Sequence, residues 1–400
     1  MQFKYRAVTD SGQIIEGLQE ARDEKELIAM LKDSSYMPIS YEQTAGSGGS
    51  AEITLARVKK KDMAVFCRQF HTMLHAGVSV VKALDILERQ TQHKLLKKAI
   101  YSVHENVQKG MTLSEALKQN PKVFPSILIN MVEAGETSGS LDTVMDRMAT
   151  HFEKEFKIDN KIKSAMIYPI ILAVLATAVV IFMMVAVMPT FVGMFESSGV
   201  QLPAPTRALI AISHSMRNRW YIYILAVVGL FFGIRYIGKT NSGELLFDTW
   251  KLRIPVVGNT NTKVATSKFN RTLSTILSSG IPLMQGIDIV SKVLGNRYIE
   301  DRLEEAKDKV RKGVPLSIAV RETRVFPIMV DAMIKIGEES GDLDGIMNKT
   351  ADFYDEEVEV AITKMTEMMQ PAMIVIMAFI VAFIVISIAL PMFDMVTLIK

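Results

Sequence analysis

The sequence predicts a mainly α, integral membrane protein with three transmembrane helices, two homologous cytoplasmic helical bundles and a small N-terminal β-β-α-β module. Three observations predict this class: apolar residues recur at helical spacing, long uncharged runs separate polar stretches, and one stretch occurs twice. The repeated stretch begins at Phe124 and again at Phe326, and both copies share Phe-Pro and Gly-Glu-x-Ser-Gly-x-Leu-Asp. The unit covers roughly residues 60–190 and 263–393, so it is a duplicated domain and not a solenoid repeat.

Residues 1–43 predict a small separate module. FKYRAV and QIIEGLQ alternate in polarity on either side of Asp-Ser-Gly, which indicates a hairpin. The acid-rich ARDEKELIAMLKDS then has helical spacing before the extended MPISYEQ. The next stretch, TAGSGGSAE, favours a flexible coil because it is rich in Gly and Ser. We therefore predict a linker at residues 44–58.

Residues 59–163 and 238–366 predict two helical bundles. The first helix of the first bundle carries Met63, Phe66 and Phe70 on one stripe, as an amphipathic helix requires. Glycines and an Asn-Pro pair then act as helix stop signals. We expect about six helices before the first apolar run.

Three apolar runs predict transmembrane helices. Between Lys163 and Glu196 there is no charged residue, and a helix from Pro169 to Pro189 is long enough to cross the hydrocarbon core. The prolines that bound the runs are expected to mark helix starts and ends: Pro169, Pro189, Pro371 and Pro391. The predicted segments are transmembrane helices at 164–195, 220–237 and 367–393, a loop at 196–219 and a tail at 394–400.

Basic residues near the spans predict the orientation. Lys and Arg are more frequent beside the bundles than in the 196–219 loop or the 394–400 tail. This bias favours a cytoplasmic N-terminus and cytoplasmic bundles, with the loop and the C-terminal tail in the periplasm. Two spans between the repeats put both copies on the same side, and such parallel repeats imply a pseudo-twofold axis along the membrane normal.

Charge and cysteine content restrict the possible classes. The 400 residues carry a formal net charge of +3, which gives no sign of a nucleic-acid binder. Residues 57–163 carry 18 Lys+Arg against 12 Asp+Glu, whereas residues 238–366 carry 18 against 19, so the first bundle is the more basic. Because Cys67 is the only cysteine, stability must come from packing and bilayer insertion without an intrachain disulfide.

The stretch from Gly233 to Thr240 matches the phosphate-binding pattern G-x-x-x-x-G-K-[ST]. Such a loop needs a preceding strand, a following helix and small residues that expose backbone N–H groups to phosphate. Here the loop positions hold Arg, Tyr and Ile at the end of an apolar run. The sequence therefore favours a membrane exit over a nucleotide site.

Cys67, His71 and His75 lie at i, i+4 and i+8 and include ligand types that zinc accepts. The second repeat holds Asn, Ser and Ser in those places, and no fourth ligand is evident. A polar helix face is therefore favoured over a metal site. The remaining His, Asp, Glu and Ser residues form no recognisable acid-base or nucleophile set, so the sequence predicts no enzyme and no cofactor.

The Gly-Glu-x-Ser-Gly turns have a structural and a functional interpretation. In the structural one, the first Gly ends a helix in the left-handed conformation and the Ser caps the next helix. In the functional one, the Glu lies on an exposed cytoplasmic corner where a partner docks. Capping explains the Gly and Ser and leaves only the Glu over, so the structural interpretation is favoured. The capping serines are Ser138 and Ser340, and the candidate partner-contact residues are Glu136, Glu338, Gly135, Gly139, Gly337 and Gly341.

The chain resembles the PilC/GspF family, the inner-membrane assembly platform proteins of type IV pili and type II secretion. The resemblance covers nearly the whole chain. It is carried by the N-terminal FKYRAVTDSGQIIEG, the Phe-x-Arg-Gln-Phe…Gly-Val helix, the paired Phe-Pro…Gly-Glu-x-Ser-Gly-x-Leu-Asp motifs and the order of the three spans.

The resemblance implies a non-enzymatic homo-oligomer in the bacterial inner membrane. Its implied partners are a hexameric cytoplasmic assembly ATPase, pilin or pseudopilin subunits and other inner-membrane alignment proteins, and its implied role is to couple the ATPase to pilin extraction and polymerisation. Type II secretion is the alternative machine. A membrane-bound NTPase would rest on the Gly233–Thr240 match alone, and a small transporter should carry more spans and ionisable groups at membrane depth.

Overall fold

The computed structural model describes residues 2–9, 14–20, 27–28, 30, 36–44, 57–197, 203–238 and 240–398. The chain divides into two compact units, residues 1–57 and 58–400. The smaller unit holds an antiparallel sheet with strand order β2-β1-β3. Its strands are β1 (Gln2–Thr9), β2 (Ile14–Glu20) and β3 (Tyr36–Thr44). The helix predicted between β2 and β3 falls mostly outside the described residues.

The first repeat forms five short helices and the start of a long one. Gly77 and Gly110 adopt φ values of +81° and +94° just after helices end, a conformation that glycine adopts without steric cost. Thr112 begins a short helix with a capping box, because its hydroxyl and the Glu115 carboxylate bond each other's backbone N–H groups. The helices are α1 (Lys60–His75), α2 (Val80–Gln90), α3 (Lys94–Gln108), α4 (Leu113–Lys118), α5 (Ser126–Ser138) and α6 (Leu141–Phe182).

A π-helical turn and three helices connect α6 to the second repeat, which then copies the first. The connecting elements are the π turn Met183–Val187, α7 (Met188–Ser197), α8 (Ala204–Asn218) and α9 (Trp220–Ile237). The second repeat comprises α10 (Asn241–Arg253), α11 (Val257–Leu277), α12 (Leu283–Val293), α13 (Arg297–Arg311), α14 (Leu316–Thr323), α15 (Ile328–Ser340) and α16 (Leu343–Leu398). In the matched pairs, α11 corresponds to α1, α12 to α2, α15 to α5 and α16 to α6.

Among the described residues, three helical stretches are long and apolar enough to cross a membrane: Leu141–Met194, Trp220–Ile237 and Leu343–Leu390. The first and third are continuous with the last helix of each bundle. Pro169 lies inside α6, and Pro371 and Pro391 lie inside α16, so the expectation that these three prolines mark helix starts or ends is wrong. Pro189 is the second residue of α7. Loss of one N–H donor is tolerated because neighbouring turns hold the helix in place on both sides.

The segment predicted as a loop at 196–219 contains the helix α8. One face of α8 is buried against the ends of both long helices, where Leu209 packs with Met184 and Ile384. The Ser213 hydroxyl donates to the Met184 carbonyl at 2.5 Å, and the Thr206 hydroxyl donates to the Ser387 carbonyl at 2.6 Å. Thus α8 bonds both to α16 and to the π turn that follows α6. The two accepting carbonyls, of Met184 and Ser387, occupy nearly equivalent places in the two repeats, so both bonds form at the same level along the long helices.

The two bundles share one hydrophobic core, and they meet through different faces. Arg147 on α6 donates to Ser278 at 2.7 Å and to Ser279 at 3.1 Å, near the end of α11. The Lys154 ammonium lies 3.3 Å from the Asp352 carboxylate on α16. The first repeat therefore contacts the second through α6. The second repeat contacts the first through α11 and through a face of α16 that is not the equivalent of the α6 face.

Equivalent residues on α6 and α16 differ sharply in exposure. His151 is 2% exposed, whereas Phe353, its equivalent, is 44% exposed. Ile158 is 7% exposed, whereas its equivalent Val360 is 60% exposed. A twofold axis would bury both members of each pair equally, because each subunit then uses the same patch. The expected pseudo-twofold relation is therefore wrong for the bundles, which pack head to tail.

Candidate functional site: the two helix corners

The second glycine of each Gly-Glu-x-Ser-Gly turn ends the helix. Gly139 and Gly341 follow α5 and α15 with φ values of +69° and +76°, the left-handed region. The N–H of Ser140 donates to the Gly135 carbonyl at 2.9 Å and closes the first turn. The prediction that Gly135 and Gly337 end these helices is wrong, since both lie within them.

Gly135 and Gly337 instead allow the two helices of each corner to approach closely. A Cβ at Gly135 would lie 2.9 Å from Val144 Cγ2, and a Cβ at Gly337 would lie 2.9 Å from the Leu343 Cα. Such distances are too short for carbon atoms, so any side chain would push the helices apart. The sequence signal was the recurrence of Gly, and its cause is packing and not backbone conformation.

The capping role predicted for the turn serines is also wrong. The Ser138 hydroxyl donates back to the Ala134 carbonyl of its own helix at 2.8 Å. The start of α16 is capped by Asp342, whose carboxylate accepts from the Gly345 N–H at 3.1 Å. Asp342 is the variable residue of Gly-x-Leu-Asp and lies two residues beyond Ser340, so the residues shared by the two copies did not mark this cap.

Glu136 and Glu338 hold each corner onto the start of a neighbouring helix. The Glu136 carboxylate accepts from the N–H groups of Leu113 at 2.5 Å and Ser114 at 3.1 Å, in the first turn of α4. The Glu338 carboxylate does the same for α14, where Leu316 donates at 2.6 Å and Ser317 at 3.2 Å. A carboxylate at a helix N-terminus satisfies N–H groups that lack intrahelical partners and faces the positive end of the helix dipole. Both carboxylates are thus committed to internal bonds, and their contact with a partner stays a prediction.

The surfaces beside the two glutamates differ. In the first corner Lys118 and Glu133 form an ion pair at 2.8 Å. The equivalent positions in the second corner hold Arg321 and Lys335, two cations. They line an open groove of about 600 Å³ together with Ile318, Pro315, Ala332 and the acids Asp331, Glu338 and Glu339. The second corner therefore carries two cations where the first corner holds an ion pair.

An arginine on the first helix of each bundle fixes that helix to the last one. Arg68 donates to Glu153 at 2.9 Å and also pairs with Asp146. Arg271 donates to Asp352 at 2.8 Å and to Asp355 at 2.6 Å. Burial acts to raise the pKa of Asp352, but the bonds from Arg271 and Lys154 outweigh it and lower that pKa. The two arginines occupy matching positions in the repeated sequence, but their acidic partners lie more than 75 residues away and no local pattern links them.

A buried polar cluster lies where α6 meets α1 and the second repeat. His151 and Glu155 are buried on α6, and Lys60 of α1 reaches Glu155 at 3.1 Å. Burial lowers the pKa of His151, and its Nδ1 finds no hydrogen-bond partner among the described residues. Burial acts to raise the pKa of Glu155, but the positive charges around it, which include Lys60 and Lys268, lower it overall. No sequence pattern flagged this cluster, because a single His on a helix resembles any core position.

The three residues considered as metal ligands do not converge. Cys67 is buried in the core, and burial raises the pKa of its thiol well above the usual range. The His71 and His75 rings stack with centroids 5.5 Å apart, and His71 Nδ1 lies 2.9 Å from the Asp142 carbonyl oxygen. Across the described ranges, no group of three or more His, Cys, Asp or Glu side chains is placed to hold a metal ion.

The phosphate-loop match falls mainly on a membrane helix. Gly233 to Ile237 form the last turns of α9, and none of the residues of α9 is buried within the described structure. Lys239 lies outside the described residues. A helix here cannot present the successive backbone N–H groups of a phosphate-binding loop, since they bond within the helix.

Comparison with known proteins agrees with the duplicated architecture. The family model "Type II secretion system (T2SS), protein F" matches residues 66–189 and 269–391, and its N-terminal domain model matches residues 1–42. The chain is 38% identical to the type IV pilus assembly protein PilC of Thermus thermophilus over 98% of each chain, and 36% identical to PilC of Myxococcus xanthus over 98% of this chain and 95% of that one. It is 31% identical to the type II secretion system protein F of Vibrio cholerae over 98% of each chain. The chain therefore belongs to the PilC/GspF family of multi-pass membrane platform proteins of pilus and secretion machines.

Proposed function

We propose that this protein is a non-enzymatic inner-membrane platform that couples a cytoplasmic assembly ATPase to the extraction and polymerisation of pilin subunits. One observation carries the coupling: α6 and α16 each run without a break from a bundle into a membrane span. A rotation or tilt imposed on a bundle then reaches the bilayer through a stiff helix. A coil at this joint would absorb the motion instead.

The proposal places both bundles and the N-terminus in the cytoplasm and the C-terminus in the periplasm. The excess of Lys and Arg beside the bundles supports this orientation. The hexameric ATPase would meet the bundles, and pilin subunits and alignment proteins would meet the spans within the lipid bilayer. Reporter fusions at each terminus test the orientation, and a periplasmic N-terminus would contradict it.

Insertion of Gly-Gly-Ser after Lys163 tests the coupling. If the insert stays helical, three residues turn the span by about 300° relative to the bundle, and if it does not, the joint becomes flexible. We expect the variant to insert in the membrane and to copurify with the ATPase, yet to assemble no fibres in cells that lack the native copy. The matched control is the same insertion at Gly48, in the predicted linker, which should leave assembly unchanged.

Normal fibre assembly by the Lys163 insertion variant at wild-type protein level would contradict coupling through the helices. It would favour a platform that acts only as a docking scaffold. Loss of membrane insertion would show a folding defect, in which case Gly-Gly-Ser after Met365, at the equivalent joint of α16, repeats the test.

The same role for pseudopilins in type II secretion is the second candidate. The 31% identity to the Vibrio cholerae protein F over 98% of the chain supports it, although the two PilC relatives are more similar. Purification of the native complex from membranes distinguishes the two. Major pilin in the complex supports pilus assembly, and pseudopilin with secretion-system components supports the alternative.

A further inference from the structure

The head-to-tail contact between the two repeats leaves two unused faces. The first repeat buries the α6 face that holds His151 and Ile158, but the second repeat exposes the equivalent α16 face. Conversely, the first repeat covers the α11 face that holds Lys268, whose charge acts on buried His151. The equivalent residue on α1, Val65, is 46% exposed. Within the described residues, the first repeat therefore has no partner for its α1 face, and the second repeat has none for its α16 face.

We propose that a second copy of this chain docks the exposed α1 face of its first repeat, together with the adjacent side of α6, on the exposed α16 face of the second repeat. The family resemblance implies self-association without naming a surface, whereas the internal contact names both faces. A heterologous contact between similar units repeats from copy to copy, and it forms a ring if the rotation closes and an open filament if it does not. Each repeat carries its own membrane helix. If successive copies pack as the two repeats pack inside one chain, the membrane helices of all copies stay in one bilayer.

The equivalent contacts pair apolar side chains. Internal His151 lies near Lys268, and the corresponding residues between copies are Phe353 and Val65. Internal Ile158 packs on Val358. The corresponding pair is Val360 with Phe156, so the intermolecular contact gains apolar surface where the internal one has polar groups.

The charged positions also permit the contact. Inside the chain, Arg147 donates to Ser278 and Ser279. At the equivalent positions of the contact between copies, Lys349 of one copy would face His75 and Ala76 of the other. Glu356 takes the place of Lys154 and faces Glu153, whose charge Arg68 already neutralises at 2.9 Å. The α16 face that meets α6 inside the chain includes Val358 and Ile362, and it differs from the face with Phe353 and Val360. One helix can therefore hold both neighbours at once.

Paired cysteines test the proposal in the full-length protein in native membranes. In a Cys67→Ala background, the chain carrying both Val65→Cys and Phe353→Cys is treated with a short bis-maleimide reagent. We expect a ladder of covalent dimers, trimers and larger species, because each copy offers one cysteine on each side. Neither single variant should cross-link, because a heterologous contact does not bring the same residue of two neighbouring chains together. The matched control pair, Arg147→Cys with Ser279→Cys, lies across the internal contact and should cross-link only within one chain.

A second measurement does not depend on cysteine reactivity. The double variant Phe353→Glu, Val360→Glu places charges on the exposed face without touching the core. We expect light scattering in mild detergent to give a lower mass than wild type by at least twofold. Tyr101→Glu, which changes an aromatic residue of similar exposure on α3, should leave the mass unchanged.

Four outcomes would overturn the proposal. The first is that the internal control pair cross-links but the Val65 and Phe353 pair gives no ladder. The second is dimerisation of a single-cysteine variant, which indicates a twofold contact. The third is an unchanged mass for the double Glu variant. The fourth is cross-linking of the Phe353 site to a different protein, which assigns that face to another partner.

Discussion

Two glutamates in this protein tie helix corners to helix starts, at positions that a sequence comparison alone presents as an exposed motif. The recurrence of Glu136 and Glu338 was visible from the sequence, but their acceptor role was not. The donors lie more than twenty residues upstream in each repeat, at Leu113 and Leu316. A hydrogen bond over that separation depends on how the helices pack, and no local spacing predicts it.

We expect Glu338→Ala to destabilise the protein by about 1–2 kcal/mol, because it leaves N–H groups in the first turn of α14 without an acceptor. The measurement is the denaturant-induced unfolding of the protein in detergent. Glu339→Ala is the control, since Glu339 forms only an exposed i,i+4 pair with Lys335 at 3.7 Å. Equal, small losses for both variants would contradict the anchoring role.

We expect Gly135→Ala to destabilise the first corner and a second substitution to restore part of the loss. The new Cβ would lie 2.9 Å from Val144 Cγ2, so Val144→Ala removes the nearest clashing atom. At Gly337 the nearest atoms include the Leu343 Cα, and no side-chain substitution removes that clash. A double-mutant cycle on unfolding free energies checks this, and purely additive losses for Gly135→Ala and Val144→Ala would contradict it.

His151 should make the protein less stable as pH falls. Burial lowers the pKa of His151, so the folded state stays neutral while the unfolded state takes up a proton below about pH 6.5. Stability from this group is therefore present above pH 6.5 and lost below it, by up to about 1.4 kcal/mol at pH 5.5. The pKa of Glu155 is lowered, so this carboxylate stays ionised in the same window.

The variant His151→Phe, which copies the second repeat, should flatten the dependence of unfolding free energy on pH between 7.5 and 5.5. His75→Phe changes an exposed histidine and should leave the slope as in wild type. An unchanged slope in His151→Phe would assign the acid sensitivity to other groups.

At the scale of elements, the helix ends at Gly77 and Gly110 were predictable, whereas Pro169 suggested a helix boundary that does not exist. Gly77 and Gly110 end helices through positive φ, a local property that the residue type reveals. Pro169 also carries a local signal for a helix boundary, yet α6 continues through it because bundle and bilayer hold both sides. The helix α8 was missed because its two arginines and polar residues resemble a loop, while its buried face depends on contacts with two distant helices.

At the scale of the whole molecule, the duplication predicted the composition of the fold but not its symmetry. Two similar units can meet through the same face or through different faces, and only residues that differ between the copies decide this. Lys154 and Asp352 are such residues, because α6 is basic and α16 is acidic along the line where these two helices meet. The charge difference between the bundles was visible in the sequence, but its place at the contact between them was not.

We expect separately produced fragments 59–163 and 240–366 to bind each other in solution. Their contact includes the Lys154–Asp352 pair and the apolar cluster of Ile158 with Val358 and Ile362. Lys154→Glu should weaken the association at least tenfold, because it sets a negative charge against two carboxylates. Lys97→Glu, an exposed change on α3, is the control, and sedimentation of the mixtures is the measurement. Two fragments that stay apart would contradict a shared core.

The attachment of α8 to both long helices has a mechanical consequence. Because Ser213 and Thr206 bind carbonyls at one level, that level would act as a fulcrum for the long helices. The stretch from Leu141 through α6 to Met184 in the π turn would then be a lever arm of about 65 Å. A tilt of about 5° at the fulcrum would carry the helix corner through about 6 Å, close to one turn of an α-helix. A small angular change in the bilayer therefore corresponds to a large stroke at the surface where Glu136 and Gly139 lie.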